Sequence, residues 1–258
     1  MRDKYTLFIL LIGTIYLSIY LFLLKNVQLW LIDAVHCFKV MNLKEYLINH
    51  IHIFVFIVLF LLMSAFITKT LYVGLHETLR FHELKKYINL LKIKEYKNIV
   101  IIDTQQDIAF NYLNKIVISH TILKNLSKED KKSIFLHEKG HLINKDSYKM
   151  LLSSLMLSLF PNFIKNRLTK SYILNLETKA DKYALNFINN LQLAKSLLKI
   201  KTSNSYQPMM SNFTEERLKV LLENKKIGIP IIANLLIITL LCILFFSFIY
   251  KTCFCGIM

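Results

Sequence analysis

Residues 127–144 read Ser-Lys-Glu-Asp-Lys-Lys-Ser-Ile-Phe-Leu-His-Glu-Lys-Gly-His-Leu-Ile-Asn, and they set the centre of the fold. Ser127 followed by Asp130 is a capping box of the Ser-x-x-acid type. Ser127 is therefore the expected N-cap, and the helix is expected to run to about Asn144. On that helix His137 and His141 are one turn apart and point to the same side. Two imidazoles at this spacing can grip one zinc ion, with Glu138 beside them to handle protons. Gly140 costs about 1 kcal/mol relative to alanine in mid-helix. Its expected use is to let another backbone or helix come close to the metal; a merely tolerated glycine is the alternative.

Working outward, Glu177-Thr-Lys-Ala-Asp181 falls on a second predicted helix, Tyr172 to Leu191. Glu177 is the candidate third ligand, and Asp181, one turn on, faces the same way. Two neutral imidazoles and a carboxylate leave a fourth position for water, the arrangement of catalytic rather than structural zinc, with one ion per chain. The metal would bring the pKa of that water toward ~7. Glu138 would take its proton and later pass one to the leaving amine. Asp181 is expected to accept the spare N–H of a histidine, His137 in preference. Arg217, Tyr183 and Tyr206 are the candidates for stabilising an oxyanion, with Arg217 expected to be a catalytic residue. The alternative for the whole constellation is two charged helix faces in solvent.

Upstream, Ile99–Ile102 is a β-branched run, and Ala109–Leu113 and Lys115–Ser119 read as two more short strands turning at Asn114. The expectation is a small antiparallel sheet. Its Ala109-Phe110-Asn111 strand is a candidate edge for an extended peptide to lie along. From Leu71 to Leu91 the pattern is helical; His76 and His82 read there as ordinary surface histidines. Lys199 to Gln207 reads as a basic loop, and Thr214 to Leu222 as a short amphipathic helix.

The chain is 54% hydrophobic with mean hydropathy +0.42, and its apolar residues are clumped. Tyr5–Leu24, Ile51–Ile67 and Ile229–Tyr250 are uncharged runs, and a helix crossing the ~30 Å hydrocarbon core needs about 20 residues. Three transmembrane helices are therefore expected, the first as an uncleaved signal anchor. The shorter run Met150–Ile164, interrupted by Pro161, reads as a helical hairpin or arm at the bilayer surface, or as a core helix. Net charge is +16, and residues 68–228 hold 27 of the 33 Lys and Arg against 14 of the 17 Asp and Glu. By the preference of positive flanks for the cytoplasm, this segment is inside and residues 25–50 are outside. The excess fits anionic headgroups. No nucleic-acid motif accompanies it, so nucleic acid is not an expected partner. Cys37, Cys242, Cys253 and Cys255 form no disulfide or zinc framework.

Taken as ordered blocks, Lys115-Ile-Val-Ile-Ser-His-Thr-Ile-Leu, Leu126-Ser-Lys-Glu-Asp, Phe135 to Asp146 and Glu177 to Ala184 resemble membrane-bound gluzincin peptidases. Two branches share the pattern: HtpX-like and CAAX-prenyl-type proteases, and the antirepressor metallopeptidases that act as β-lactam sensor-transducers. The likeness covers roughly residues 97–222. It implies zinc ligands His137, His141 and Glu177, a catalytic Glu138 and a cytoplasm-facing site in a bacterial inner membrane. It also matches Asp146 to an acidic position after the second histidine, and Glu216-Arg217 to a Glu-Arg pair close to the site. The short interval from His141 to Glu177, with Phe160-Pro161-Asn162, is similar to the antirepressor branch. No sensor domain follows the last span, so β-lactam sensing is not expected.

The expected architecture is thus α+β and mostly helical: two transmembrane helices over 1–68, a cytoplasmic zincin-type domain over 69–228, and a last transmembrane helix over 229–258. The expected activity is hydrolysis of peptide bonds in membrane or membrane-proximal proteins. A regulatory antirepressor-type protease and a non-catalytic membrane scaffold with a vestigial site are the alternatives.

Overall fold

A computed structural model describes residues 4–40, 51–202 and Arg217. The third apolar run, the amphipathic segment around Arg217 and the C-terminal cysteines lie outside the described residues.

Two long helices come first. Helix α1 spans Lys4–Val40 and α2 spans Ile51–Leu91. At 1.5 Å per residue they are about 55 and 60 Å long. Neither contains proline, and each has one glycine, so nothing in the sequence stops them. By length and composition both can cross a membrane, over Tyr5–Lys25 and Ile57–Leu91. Large side chains such as Leu7, Leu11, Leu61, Leu71 and Leu75 stand exposed on them. Residues 25–40, expected in an external loop, continue α1, and α2 runs unbroken through the expected domain boundary at 68/69.

A four-stranded sheet follows: β1 (Lys92–Tyr96), β2 (Ile99–Ile102), β3 (Ala109–Tyr112) and β4 (Lys115–Ser119), in spatial order β1-β2-β4-β3. The sheet is mixed rather than antiparallel. Strand β4 inserts between β2 and β3 and pairs in parallel with β2, with Val100 opposite Val117. The reason lies in burial. Ile-Val-Ile-Ile and Ile-Val-Ile are the most apolar runs, and Val100, Ile102 and Val117 are almost fully buried, so β2 and β4 take the centre. Strand β1, Lys-Ile-Lys-Glu-Tyr, is exposed along its whole length, as suits a charged edge. It was not legible as a strand for the same reason. The outer pairs are antiparallel and close through two-residue turns, whose first residues, Lys97 and Leu113, have φ of 52°.

Ser119 ends β4 and caps α3 (His120–Asn125); its hydroxyl accepts from Ile122 N–H at 3.3 Å and from Ile108 N–H at 3.1 Å. Helix α4 is Lys128–Asn144, with Ser127 at the N-cap accepting from Asp130 N–H at 3.2 Å. Lys145 then takes the left-handed conformation, φ 55° and ψ 41°, and turns the chain directly into α5, Asp146–Ser158. Pro161 caps α6, Asn162–Leu185, which starts ten residues before the predicted helix and ends six before it. Its polar first half is helix with a solvent face. Helix α7, Asn190–Thr202, takes up the start of the predicted basic loop.

The Met150–Ile164 run is indeed a helical hairpin, the α5–α6 turn. It packs on α1: Leu159 and Phe160 bury against Ile12, while Leu157, Tyr172 and Leu176 bury against Tyr5 and Ile9. Thr6 and Tyr172 hydroxyls meet at 3.0 Å, and Ser158 donates to Thr70 at 2.9 Å. Helices α4 and α6 cross at Gly140. A Cβ there would fall 2.9 Å from Ala180 Cα, so the glycine does admit a second backbone.

Candidate active site

Helix α4 presents His137 and His141 on one side, and α6 brings Glu177 to meet them. The two Nε2 atoms are 3.1 Å apart, with the rings edge to face at 89°. Glu177 Oε2 lies 3.3 Å from His137 Nε2, and Oε1 lies 3.4 Å from His141 Nε2. One ligand atom from each residue lies within 4.8 Å of the others, and all three residues are buried.

Behind each imidazole stands a carboxylate. His137 Nδ1 is 2.9 Å from Asp181 Oδ1, and His141 Nδ1 is 2.8 Å from Asp146 Oδ2. A neutral imidazole has one N–H, and a carboxylate only accepts. With both rings neutral the proton sits on Nδ1 of each, and both Nε2 lone pairs then face the common point. Two lone pairs and a carboxylate around one point repel unless a cation lies between them. Burial lowers the His141 pKa, but Glu177 and Asp146 outweigh it and hold it well above its ordinary value. Burial and Arg217 likewise lower that of His137, yet Asp181 and Glu177 leave it raised. The nest calls for positive charge, and two nitrogens with one carboxylate oxygen suit zinc with an open position.

Arg217 closes the site from the far end of the sequence. Its Nε and Nη2 donate to Asp181 Oδ2 and Oδ1 at 3.0 and 2.7 Å, a bidentate clamp, and Nη1 pairs with Glu177 Oε2 at 2.8 Å. The Glu177 pKa is raised by burial, but Arg217 and His141 override this and carry it well below the usual range. For Asp181 too, Arg217 outweighs burial and lowers it. All three guanidinium nitrogens are thus spent on ligand and ligand support. Of the other oxyanion candidates, Tyr183 packs on Phe187 at 5.4 Å between ring centres, and Tyr206 lies outside the described residues.

Glu138 is buried beside the ligands. Burial pushes its carboxyl up, and its Oε2 has no hydrogen-bond partner among the described residues. Phe110 and Asn111 of β3 line a cavity next to His141 and Glu177. Asp146 is the residue whose use the sequence left open. The signal was an acidic side chain just past the helix end, but only the left-handed turn at Lys145 swings it back onto His141.

The profile of peptidase family M48 matches residues 75–207, just over half the chain. The chain belongs to peptidase family M48. No curated protein and no solved structure matches it. M48 membership makes the chain a metallopeptidase, with proteins or peptides as substrates. The buried His137–His141–Glu177 group is where an M48 peptidase can hold its metal. The matched stretch contains all three, with Glu138, Asp146 and Asp181; Arg217 lies beyond it.

Proposed function

We propose that this M48 peptidase is an integral-membrane zinc endopeptidase that cuts membrane or membrane-proximal proteins from the cytoplasmic side. The observation that carries the reading is the convergence of His137 Nε2, His141 Nε2 and the Glu177 carboxylate, each backed by its own partner. His137, His141 and Glu177 would hold one zinc ion. Bound zinc supplies Lewis acidity, polarising the scissile carbonyl and acidifying water.

The protein's own groups do the rest. Asp181 and Asp146 fix the ring tautomers and orientations. Arg217 holds Asp181 and Glu177 in place, so the role proposed for it is positioning, where the sequence suggested a catalytic one. Glu138, buried and with an unpartnered oxygen, takes a proton from water and delivers one to the leaving amine. Burial around the cluster excludes bulk water and strengthens each of these contacts.

Membrane placement is supported by α1 and α2. The apolar window of α2 buries none of its residues within the protein, as expected of a helix whose solvent is lipid. Charge distribution supports a cytoplasmic catalytic region of about residues 69–228, with the apolar run 229–250 as a third span.

The test compares wild type with Glu138→Gln on casein in detergent, with zinc content measured for both. The expected outcome is a rate loss of about 10²- to 10⁴-fold with zinc retained. Equal cleavage by the two proteins removes Glu138 from the mechanism.

A further inference from the structure

The hairpin of α5 and α6 has two unlike ends. Its open end carries Asp146 and Glu177 to the metal-binding cluster. Its closed end packs on the two long apolar helices: Leu159, Phe160 and Ile164 cluster with Tyr16 and Leu17 of α1 and Ile67 of α2. The Phe160 and Tyr16 rings meet edge-on with centres 5.8 Å apart, and Lys69 donates to Asn162 Oδ1 at 2.8 Å. These contacts fix the height of the tip. The uncharged run 51–67 of α2 is about 25 Å long, most of a ~30 Å hydrocarbon core. Lys69 therefore marks where α2 leaves that core, and the tip lies level with it.

The charges at this level are of one sign. Residues 5–24, 51–76 and 147–176 contain no aspartate or glutamate; their lysines and arginine are Lys69, Lys149, Lys165, Arg167 and Lys170. Lys165 and Arg167 stand within two turns of the tip, and neither meets a carboxylate among the described residues. Between Asn162 and Lys165 comes Phe163, 74% exposed. One exposed aromatic is ordinary in water. An aromatic beside unpaired cations, where a span ends, is the composition of an interfacial anchor. The exposed residues of α6 then change from Phe163 to Asn166, Arg167 and Lys170, so its apolar surface is confined to the first turn.

We propose that the α5–α6 tip docks on anionic phospholipids of the leaflet facing the catalytic region. Phe163 enters the acyl boundary, and Lys165 and Arg167 pair with headgroup phosphates. The proposal rests on the membrane reading above and needs no peptidase chemistry. Because α6 rises about 22 Å from Asn162 to Glu177, seating the tip also sets the height of the metal-binding cluster above the bilayer.

The experiment uses the full chain with Trp30→Phe, which removes the single native tryptophan, and Phe163→Trp as reporter. The protein is reconstituted in phosphatidylcholine vesicles. These carry a small share of either phosphatidylcholine or phosphatidylglycerol brominated high on the acyl chains. Both lipids are expected to quench the tryptophan. The phosphatidylglycerol should do so at a mole fraction at least about fivefold lower, since one Lys or Arg near an anionic surface is worth that much. Lys165→Gln with Arg167→Gln is expected to make the two lipids equal. If that variant does not fold, 1 M salt on the parent protein should equalise them, its Debye length being about 3 Å. Equal quenching in the parent, or a preference that survives both treatments, overturns the proposal. So does an unquenched tryptophan in protein that floats with the vesicles, which leaves the tip to water or to a protein partner. Protein that does not float at all overturns the membrane reading together with this one.

Discussion

At the residue scale, the site is two histidines each locked by its own carboxylate, but the carboxylates are not equivalent. Asp146 serves His141 and has a weaker contact, 3.7 Å, with Lys149. Asp181 serves His137 and also receives the bidentate Arg217. The two should separate on mutation. Asp146→Asn is expected to weaken zinc binding by about 10- to 100-fold, read by chelator competition, with a small change in melting temperature. Asp181→Asn is expected to weaken zinc as much and also to cost about 3–5 kcal/mol, because it leaves a buried guanidinium short of its partner. Equal melting temperatures for the two variants would contradict the clamp role given to Arg217.

At the element scale, α4 is held by its start and by its crossing with α6. Asp130 accepts from Ser127 at 2.7 Å, from Ser196 at 3.1 Å and from Lys199 at 2.5 Å, tying the helix start to α7. Burial raises the Asp130 pKa, but the Lys199, Ser127 and Ser196 contacts prevail and lower it. Because the folded value is depressed, the stabilisation is complete above the unfolded value near pH 4 and is lost as pH falls toward the folded one. Asp130→Asn should therefore lower the melting temperature at pH 7 and converge on wild type in acid; a constant gap across pH refutes this. At the crossing, Gly140→Ala gains about 1 kcal/mol of helix propensity. Its new methyl, however, meets Ala180 Cα at 2.9 Å and Ala180 O at 3.0 Å. Backbone cannot swing aside as a side chain can, so overpacking of about 1–3 kcal/mol wins. The variant should melt lower and, with α4 and α6 pushed apart, lose zinc affinity.

At the scale of the whole molecule, α5 joins the metal site to the two long apolar helices. Its first residue, Asp146, holds His141, and its far end meets glycines on both. A Cβ at Gly13 of α1 would fall 2.4 Å from Met156 Sδ, and one at Gly74 of α2 would fall 3.3 Å from Leu155 Cδ2. Lys69 of α2 donates to Asn162 Oδ1 at 2.8 Å, fastening the hairpin turn as well. Gly13→Ala meets mainly a flexible methionine and should change little. Gly13→Leu should part α1 from α5, lower the melting temperature in detergent and reduce casein cleavage. A fully active Gly13→Leu would show that this seat does not matter to the site.

Much of this was legible in the order of residues alone. The capping box fixed the start of α4, and helical periodicity put His137 and His141 on one side, because both depend only on neighbours along the chain. The apolar runs announced α1 and α2 for the same reason. Other features depend on residues far apart in sequence. The parallel pairing of β2 with β4 follows from which strands the core can bury, and β1 shows no apolar pattern because it buries nothing. Asp146 reaches His141 only through a left-handed turn, and Arg217 meets Asp181 and Glu177 only because the fold brings that distant residue against two buried carboxylates of α6. Local spacing determined which groups could share a metal; the packing of α6 across Gly140 decided that they meet.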